Sequence, residues 1–407
     1  MSTGLVHASV LIDGTGAEPV LDGVVVFADG RITYAGPARD APPAADASIL
    51  YEGGGTIVPG LIDCHVHLTF SGDADPVGRM QAEDEDMLLL RAAANARRAL
   101  AAGITTVRDC GGYGDVTFRL RRAIAAGISP GPRLWLCGRP LTSPGGHCWF
   151  MNGAVDSPDA LVSTAEDEVR RGADFVKVMA SGGALTPGSD PRRCQFEAPA
   201  LARLVACAHA LGRRVAAHAH ATASIRDSLA AGVDTVEHAT FLSPGDGGDP
   251  VLDEEVLAGL VSTGTTVVPT LAPIHSAAQA GRRTSLLGSG QDMSAFYRRR
   301  MAMVRHLYEA GVRLVAGSDA GVTDTPFDSG LDEVCLLAQV GLVPLEAIAA
   351  ATGWAAAALG LEVTVGTLRT GRAADLVVLA ENPLENIAAI KRPVVVMQSG
   401  RVVSESP

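Results

Sequence analysis

The 407-residue chain has no apolar run long enough to cross a membrane, and no basic segment followed by a short apolar stretch opens it. It has no long basic run either. Its 33 Lys and Arg against 45 Asp and Glu leave a net charge of −12, which argues against nucleic acid or an anionic membrane as a general partner. The seven cysteines are odd in number, scattered and without C-x-x-C spacing, so neither a disulfide framework nor a zinc knuckle is indicated. They read as reduced, small core residues. The glycine-rich stretch 245–248 lacks the strand–turn–helix setting of a phosphate loop and reads as a flexible loop. These absences predict a soluble, cytoplasmic protein. What the chain does have is apolar residues, 47 % of the total, enough for one large domain with a smaller one beside it.

The texture of the chain changes twice. Residues 1–57 alternate β-rich runs with turns: 5–12, 24–27, a turn at Ala28-Asp29-Gly30, then 31–35. An Asp-Gly step between two such runs is a hairpin signal. Residues 362–407 return to that texture, with strands expected at 374–379, 394–397 and 401–403. The two ends together predict one small β-domain. Between them, residues 58–361 alternate short apolar runs with Ala-rich helical stretches such as 84–102, 198–211 and 223–231. Strands are expected at 60–67, 104–109, 133–137, 175–179, 214–220, 235–239, 265–270 and 313–319. Eight βα units over roughly 300 residues predict the α/β class and a (β/α)8 barrel, whose active site lies at the C-terminal strand ends.

Val58-Pro59-Gly60-Leu61-Ile62-Asp63-Cys64-His65-Val66-His67-Leu68 closes the first of these strands. Side chains alternate along a strand, so His65 and His67 project from one face and two imidazoles can converge on one metal ion. The other expected strand ends carry Lys177, His218, His238 and Asp319. Taken singly, each histidine reads as a hydrogen-bonded core residue, and Asp319 as a helix cap. Packing alone does not account for all of these metal-compatible groups at one end of a barrel. Lys177 lies between apolar neighbours in Phe175-Val176-Lys177-Val178-Met179, where a bare ammonium is costly. Two readings stand for it. A desolvated lysine gives up its proton more readily, and the neutral amine can add carbon dioxide to form a carbamate. Otherwise it reaches the rim or pairs with a carboxylate.

On the motif 59–67, Lys177, His218, His238, Asp319 and the C-terminal run 366–379, the chain resembles the amidohydrolase superfamily along essentially its whole length. The resemblance implies a distorted (β/α)8 barrel, residues 58–361, with a β-sandwich domain built from 1–57 and 362–407. It also implies two divalent metal ions, usually zinc. By position, His65, His67 and Asp319 would hold the buried ion, His218 and His238 the outer one, and a carboxylated Lys177 would bridge them. In that chemistry the metals lower the pKa of a shared hydroxide and polarise the scissile carbonyl. Asp319 takes the proton and passes it to the departing amine. The implied reaction is hydrolysis of a C–N bond.

Deaminases of the superfamily commonly have Glu three residues after the strand-five histidine; here that position is Ala221, which argues against deamination. The stretches 177–183, 195–197 and Ser143-Pro144-Gly145-Gly146-His147 resemble the prolidase-related subgroup of Xaa-Pro dipeptidases and carboxypeptidases. His147 would then face the substrate and bind a carboxylate or the carbonyl oxygen, unless it only makes a local hydrogen bond. Where members of this subgroup often have Tyr, the chain has His220. That residue either reshapes the pocket as a substrate contact, supports a metal ligand, or points away. Asp324 and Asp328 would make an acidic mouth that selects a cationic substrate, although a solvated loop is the commoner explanation. The runs 281–283 and 298–300 are expected to face solvent. A catalytically silent scaffold and a purely structural zinc site fit the donor set less well than an open catalytic site. The sequence thus predicts a metal-dependent hydrolase of small amides, dipeptides or N-acyl amino acids first. A cyclic amide, urea-like compound or natural product comes next. No nucleic-acid or membrane partner is expected, and a homo-oligomer is compatible with the sequence.

Overall fold

The structure is a computed structural model that describes residues 3–43, 46–284 and 291–405. From the N-terminus, β1 (Thr3–Leu11), β2 (Val20–Ala28), β3 (Arg31–Pro37) and β4 (Ser48–Pro59) form the first β-rich segment. The expected hairpin joins β2 to β3, with Asp29 and Gly30 both at positive φ, as its tight turn requires. Strands β5 (Leu61–Val66), β6 (Ile104–Asp109) and β7 (Arg133–Leu136) make one parallel sheet. Strands β8 (Phe175–Met179), β9 (Arg214–Ala221), β10 (Thr235–Leu242) and β11 (Thr266–Val268) make another. A two-residue pair follows, β12 (Arg283–Thr284) with β13 (Gln291–Asp292). The chain ends in β14 (Leu376–Leu379), β15 (Pro393–Gln398) and β16 (Arg401–Glu405).

The two ends of the chain meet. Their strands lie in one seven-stranded sheet, ordered β16-β15-β14-β4-β1-β2-β3. Val6, Val25, Ile57, Leu376, Val378 and Met397 pack its own small core.

Helices cover the parallel strands. The helix Glu85–Ala101 buries Leu88, Ala92, Ala96 and Ala99, one stripe at helical spacing, and Asp84 caps it by accepting from Met87 N. Single bridges and hydrogen bonds continue from the edges of these parallel strands. Leu141 N donates to Lys177 O and Met179 N to Leu141 O, which joins the end of the β7 segment to β8. Val267 pairs with Leu314, and Val66 with Ala320. The eighth expected strand, 313–319, departs from the sequence reading: it is held by these bridges and by Cys64 N donating to Ala316 O, without forming a continuous strand. Asp319 has a φ of 54°, which is incompatible with a regular ladder. Among the described residues no helix is long and apolar enough to cross a membrane.

Candidate metal centre and active site

Successive turns at the C-terminal strand ends bring the singled-out residues to the floor of one cavity of about 330 Å³. His65, His67, Lys177, His218, His238 and Asp319 all line it, and so do His147 and His220. His65 and His67 have ring centroids 5.3 Å apart, and the ring of His238 lies 5.2 Å from that of His65. His218, His220 and His238 form a triangle of rings with every side 4.5 Å. Asp319 Oδ1 sits 3.5 Å from His65 Nε2 and 3.3 Å from His67 Nε2. Among the described residues three groups offer ligand atoms within 4.8 Å of one another: His65, His67 and Asp319; His218, His220 and His238; and, behind the first, His65, Cys110 and Glu237.

The hydrogen bonds around the imidazoles fix which nitrogen is free. His65 Nδ1 lies 2.8 Å from the Glu237 carboxylate and His67 Nδ1 lies 3.2 Å from Gly111 O; both partners only accept, so Nδ1 is the donor in each ring. The Thr270 hydroxyl donates to Pro269 O, so at 2.7 Å it accepts from His238 Nδ1. His218 uses Nε2 instead, 3.0 Å from Gly182 O. Each ring keeps an unshared pair on its other nitrogen. Orientation by an outer carboxylate, carbonyl or hydroxyl is the usual support of metal-binding histidines. Burial depresses three of these imidazoles, His65 to about 4 and His218 and His238 well below the ordinary range, so those three are neutral near pH 7.

Lys177 is one of only two lysines in the chain, the other being Lys391. It is 1 % exposed, and its Nζ has no hydrogen-bond partner. The sequence reading in which it reaches the rim or pairs with a carboxylate does not hold. Asp319 is opposed by burial, but the charges of His65, His67 and Lys177 hold it down to about 2. It is a carboxylate at any ordinary pH.

The cavity's other histidines are placed by loops. His147 Nδ1 lies 3.2 Å from the Thr186 hydroxyl, which already accepts from Cys148 N at 2.8 Å. Its main-chain N–H donates to Gln195 Oε1 at 2.6 Å, while Gln195 Nε2 donates to Met179 O and Ser181 O. Gln195 thus ties the loop after β7 to the end of β8. Gly183 is required where the His147 ring passes: a Cβ there would come within 2.5 Å of it. His220 points inward, with Nδ1 2.8 Å from the Thr240 hydroxyl, so the reading that turned it away from the cavity is excluded. Burial pushes His147 and His220 each down to about 3.

Three residues of this site carry little sequence signal. Glu237, adjacent to His238, is fully buried; it accepts from Arg108 at 2.7 Å and from Thr235 at 2.6 Å as well as contacting His65. Its only signal was a carboxylate inside an apolar strand. Asp63 accepts from the main-chain N–H groups of His65 and Ser318, fastening the first and last strand segments. Arg300, expected in solvent with its neighbours, is instead 0 % exposed. It follows Phe296 by four residues on the helix Met293–Glu309, so it shares that residue's inward face. The run 281–283 also differs from expectation, since Arg282 lines the cavity and pairs with Asp324; the side chain of Arg283 lies outside the described residues. Asp328 pairs with Arg98 at 3.0 Å, so the loop's two carboxylates are neutralised and the mouth is not acidic. The lining also has an apolar part, with Leu185, Leu242, Ile274, Met293 and Phe296, beside the paired Arg282 and Asp324.

Residues 56–403 match the amidohydrolase family. The chain is 29 % identical over 419 residues to an ochratoxinase of Aspergillus niger, covering 96 % of this chain and 83 % of that one. It is also 29 % identical over 395 residues to the imidazolonepropionase of Sphingopyxis alaskensis, covering 88 % and 86 %. Among solved structures, a Xaa-Pro dipeptidase with bound methionine in its active site superposes with a TM-score of 0.85 at 26 % identity, over 98 % of this chain and 99 % of that one. The chain therefore belongs to the amidohydrolase family, beside its prolidase-like members, and is a hydrolase of C–N bonds.

Proposed function

We propose that the protein is a metal-dependent amidase acting on dipeptides or N-acyl amino acids. It would work on a distorted (β/α)8 barrel, residues 58–361, with a sandwich-like β-domain from 1–57 and 362–407. The hydrogen bonds that link the outer edges of the two parallel sheets support the barrel. One observation carries the metal reading: imidazole N–H groups tied to outer acceptors leave free nitrogens around an amine that has no partner. In this reading His65, His67, Asp319, His218 and His238 would hold the ions, and Lys177, as a carbamate, would complete the donor set. A donor set of imidazoles and carboxylates suits zinc. Two such ions, when bound, supply an activated water and polarise the scissile carbonyl.

The chain's own groups do the rest. Asp319, ionised at neutral pH, takes a proton from the attacking water and delivers it to the departing amine. The Thr186 hydroxyl accepts from Cys148 N and gives its own proton to His147 Nδ1, which leaves His147 Nε2–H to hold a carbonyl oxygen. A neutral imidazole suits that role better than pairing with a carboxylate. His220, beside His218 and His238, is a second contact for the amide or a further ligand. The apolar wall favours an uncharged aliphatic or aromatic group next to the scissile bond. Seven free thiols fit the reducing cytoplasm. A second reading, hydrolysis of a cyclic amide, is favoured by the likeness to imidazolonepropionase.

The test is product analysis after zinc-loaded protein meets a pool of dipeptides, N-acyl amino acids, lactams and aminated heterocycles, with Asp319→Asn as the blank. Free amino acids absent from the blank are expected. Opened lactams alone would move the assignment to the second reading, and ammonia from the heterocycles alone would overturn both.

A further inference from the structure

Arg300 is a buried cation whose hydrogen bonds all go to main-chain carbonyls. Its guanidinium donates to Ala239 O at 2.9 Å, to Pro269 O at 3.2 Å and to His238 O. An isolated buried charge is less favourable than an apolar side chain of the same volume, so packing does not account for it. The acceptors do. They belong to two different strand ends, and both hold residues in the left-handed region: His238 at φ 69°, Ala239 at 47° and Thr270 at 50°. Such backbone persists where its surroundings hold it in place.

From Arg300 a short chain of contacts reaches the cavity floor. Pro269 O receives both the Arg300 guanidinium and the Thr270 hydroxyl. That hydroxyl in turn fixes His238 Nδ1. On the far side of the same turn, the buried Glu333 carboxylate accepts from Leu271 N at 3.0 Å and Ala272 N at 2.8 Å. The segment 269–272 is therefore gripped at its carbonyl by the Arg300 cation and at its N–H groups by the Glu333 carboxyl. The helix that carries Arg300 also carries Met293 and Phe296 in the cavity wall.

We propose that Arg300 is a positioning residue for the metal centre: by clamping the carbonyls of His238, Ala239 and Pro269 it aims the His238 ring, and it links that ring to the helix forming the apolar wall. This inference rests on the reading of His238 as a metal ligand.

The test titrates metal-free wild type, Arg300→Met and Arg300→Lys with Co2+ alone, following the visible absorption of the bound ion and the melting temperature of each protein. Arg300→Met is expected to bind the more weakly held ion about ten- to hundredfold less tightly, as loss of a group that orients a ligand does. Its cobalt spectrum should shift, and low-millimolar guanidinium should restore part of both. Arg300→Lys should fall between. Wild-type cobalt affinity and spectrum in Arg300→Met, with only its melting temperature lowered, would overturn the proposal. If Arg300→Met does not fold, Arg300→Lys decides on the same readouts. A wild type that takes up no cobalt would overturn the metal reading itself, and this inference with it.

Discussion

Glu237 Oε2 lies 2.8 Å from His65 Nδ1, while the other oxygen of the same carboxylate receives Arg108 at 2.7 Å. All three side chains are buried. Burial opposes the charge on Glu237, but Arg108 and His65 hold its carboxyl well below the usual range. One buried anion thus satisfies a cation on β6 and sets the tautomer of an imidazole on β5. Glu237→Gln should keep the fold and weaken metal binding or activity about ten- to hundredfold. Glu237→Leu strands Arg108 without its counter-charge and should cost about 3–5 kcal/mol of stability. Chemical denaturation and metal titration separate the two effects; equal behaviour of the two variants would refute this division.

Lys177 offers a direct spectroscopic check. Zinc-loaded protein prepared in 13C-bicarbonate should give a carbamate carbon signal that Lys177→Ala lacks. In Lys177→Ala a small added carboxylate should recover part of the lost activity. A wild type without the signal would rule out the carbamate and leave Lys177 as a plain amine.

Asp319 is placed to carry the proton, so Asp319→Asn should reduce kcat by about 10²–10⁴ while changing KM little. Chelation should abolish activity, and zinc should restore it. Activity that survives complete metal removal would end the metal mechanism.

The carboxyl of Glu333 is pushed up by burial, to about 8, despite two main-chain N–H donors. The folded chain therefore holds this proton more tightly than the unfolded chain does. Its contribution favours the fold below pH about 4.5 and is lost as pH rises through about 8. In metal-free protein, the melting temperature of wild type should fall more steeply between pH 5 and 8 than that of Glu333→Gln. Parallel curves would mean that Glu333 does not titrate in that window.

Phe296 is a test of the pocket wall. Truncating it to Ala should weaken binding of substrates with an apolar side chain by about 1–3 kcal/mol, seen in kcat/KM, and leave small substrates nearly unchanged. Uniform loss across both sets would point instead to a distorted floor.

Much of the floor was legible because strand geometry is local. The two-residue period puts His65 and His67 on one face, and Lys177, His218 and His238 each sit near the end of an apolar run with the same logic. The partners that orient them were not legible, because they come from distant parts of the chain: Glu237 to His65 spans 172 residues, and Arg300 to His238 spans 62. Arg300 was misplaced for a specific reason. Three consecutive arginines look solvated, yet a helix turns each by about 100°, and the third faces inward. The eighth strand was expected to be regular, but the left-handed backbone at Asp319 cannot be read from residue types.

The scarcity of lysine has a practical side. With Lys177 enclosed and Lys391 about half exposed in its pair with Asp332, amine-directed reagents meet one accessible lysine. Isotope labelling of lysine alone would give a spectrum of two side-chain signals. One would report the surface, and the other would be a probe built into the floor of the cavity, sensitive to whatever binds there.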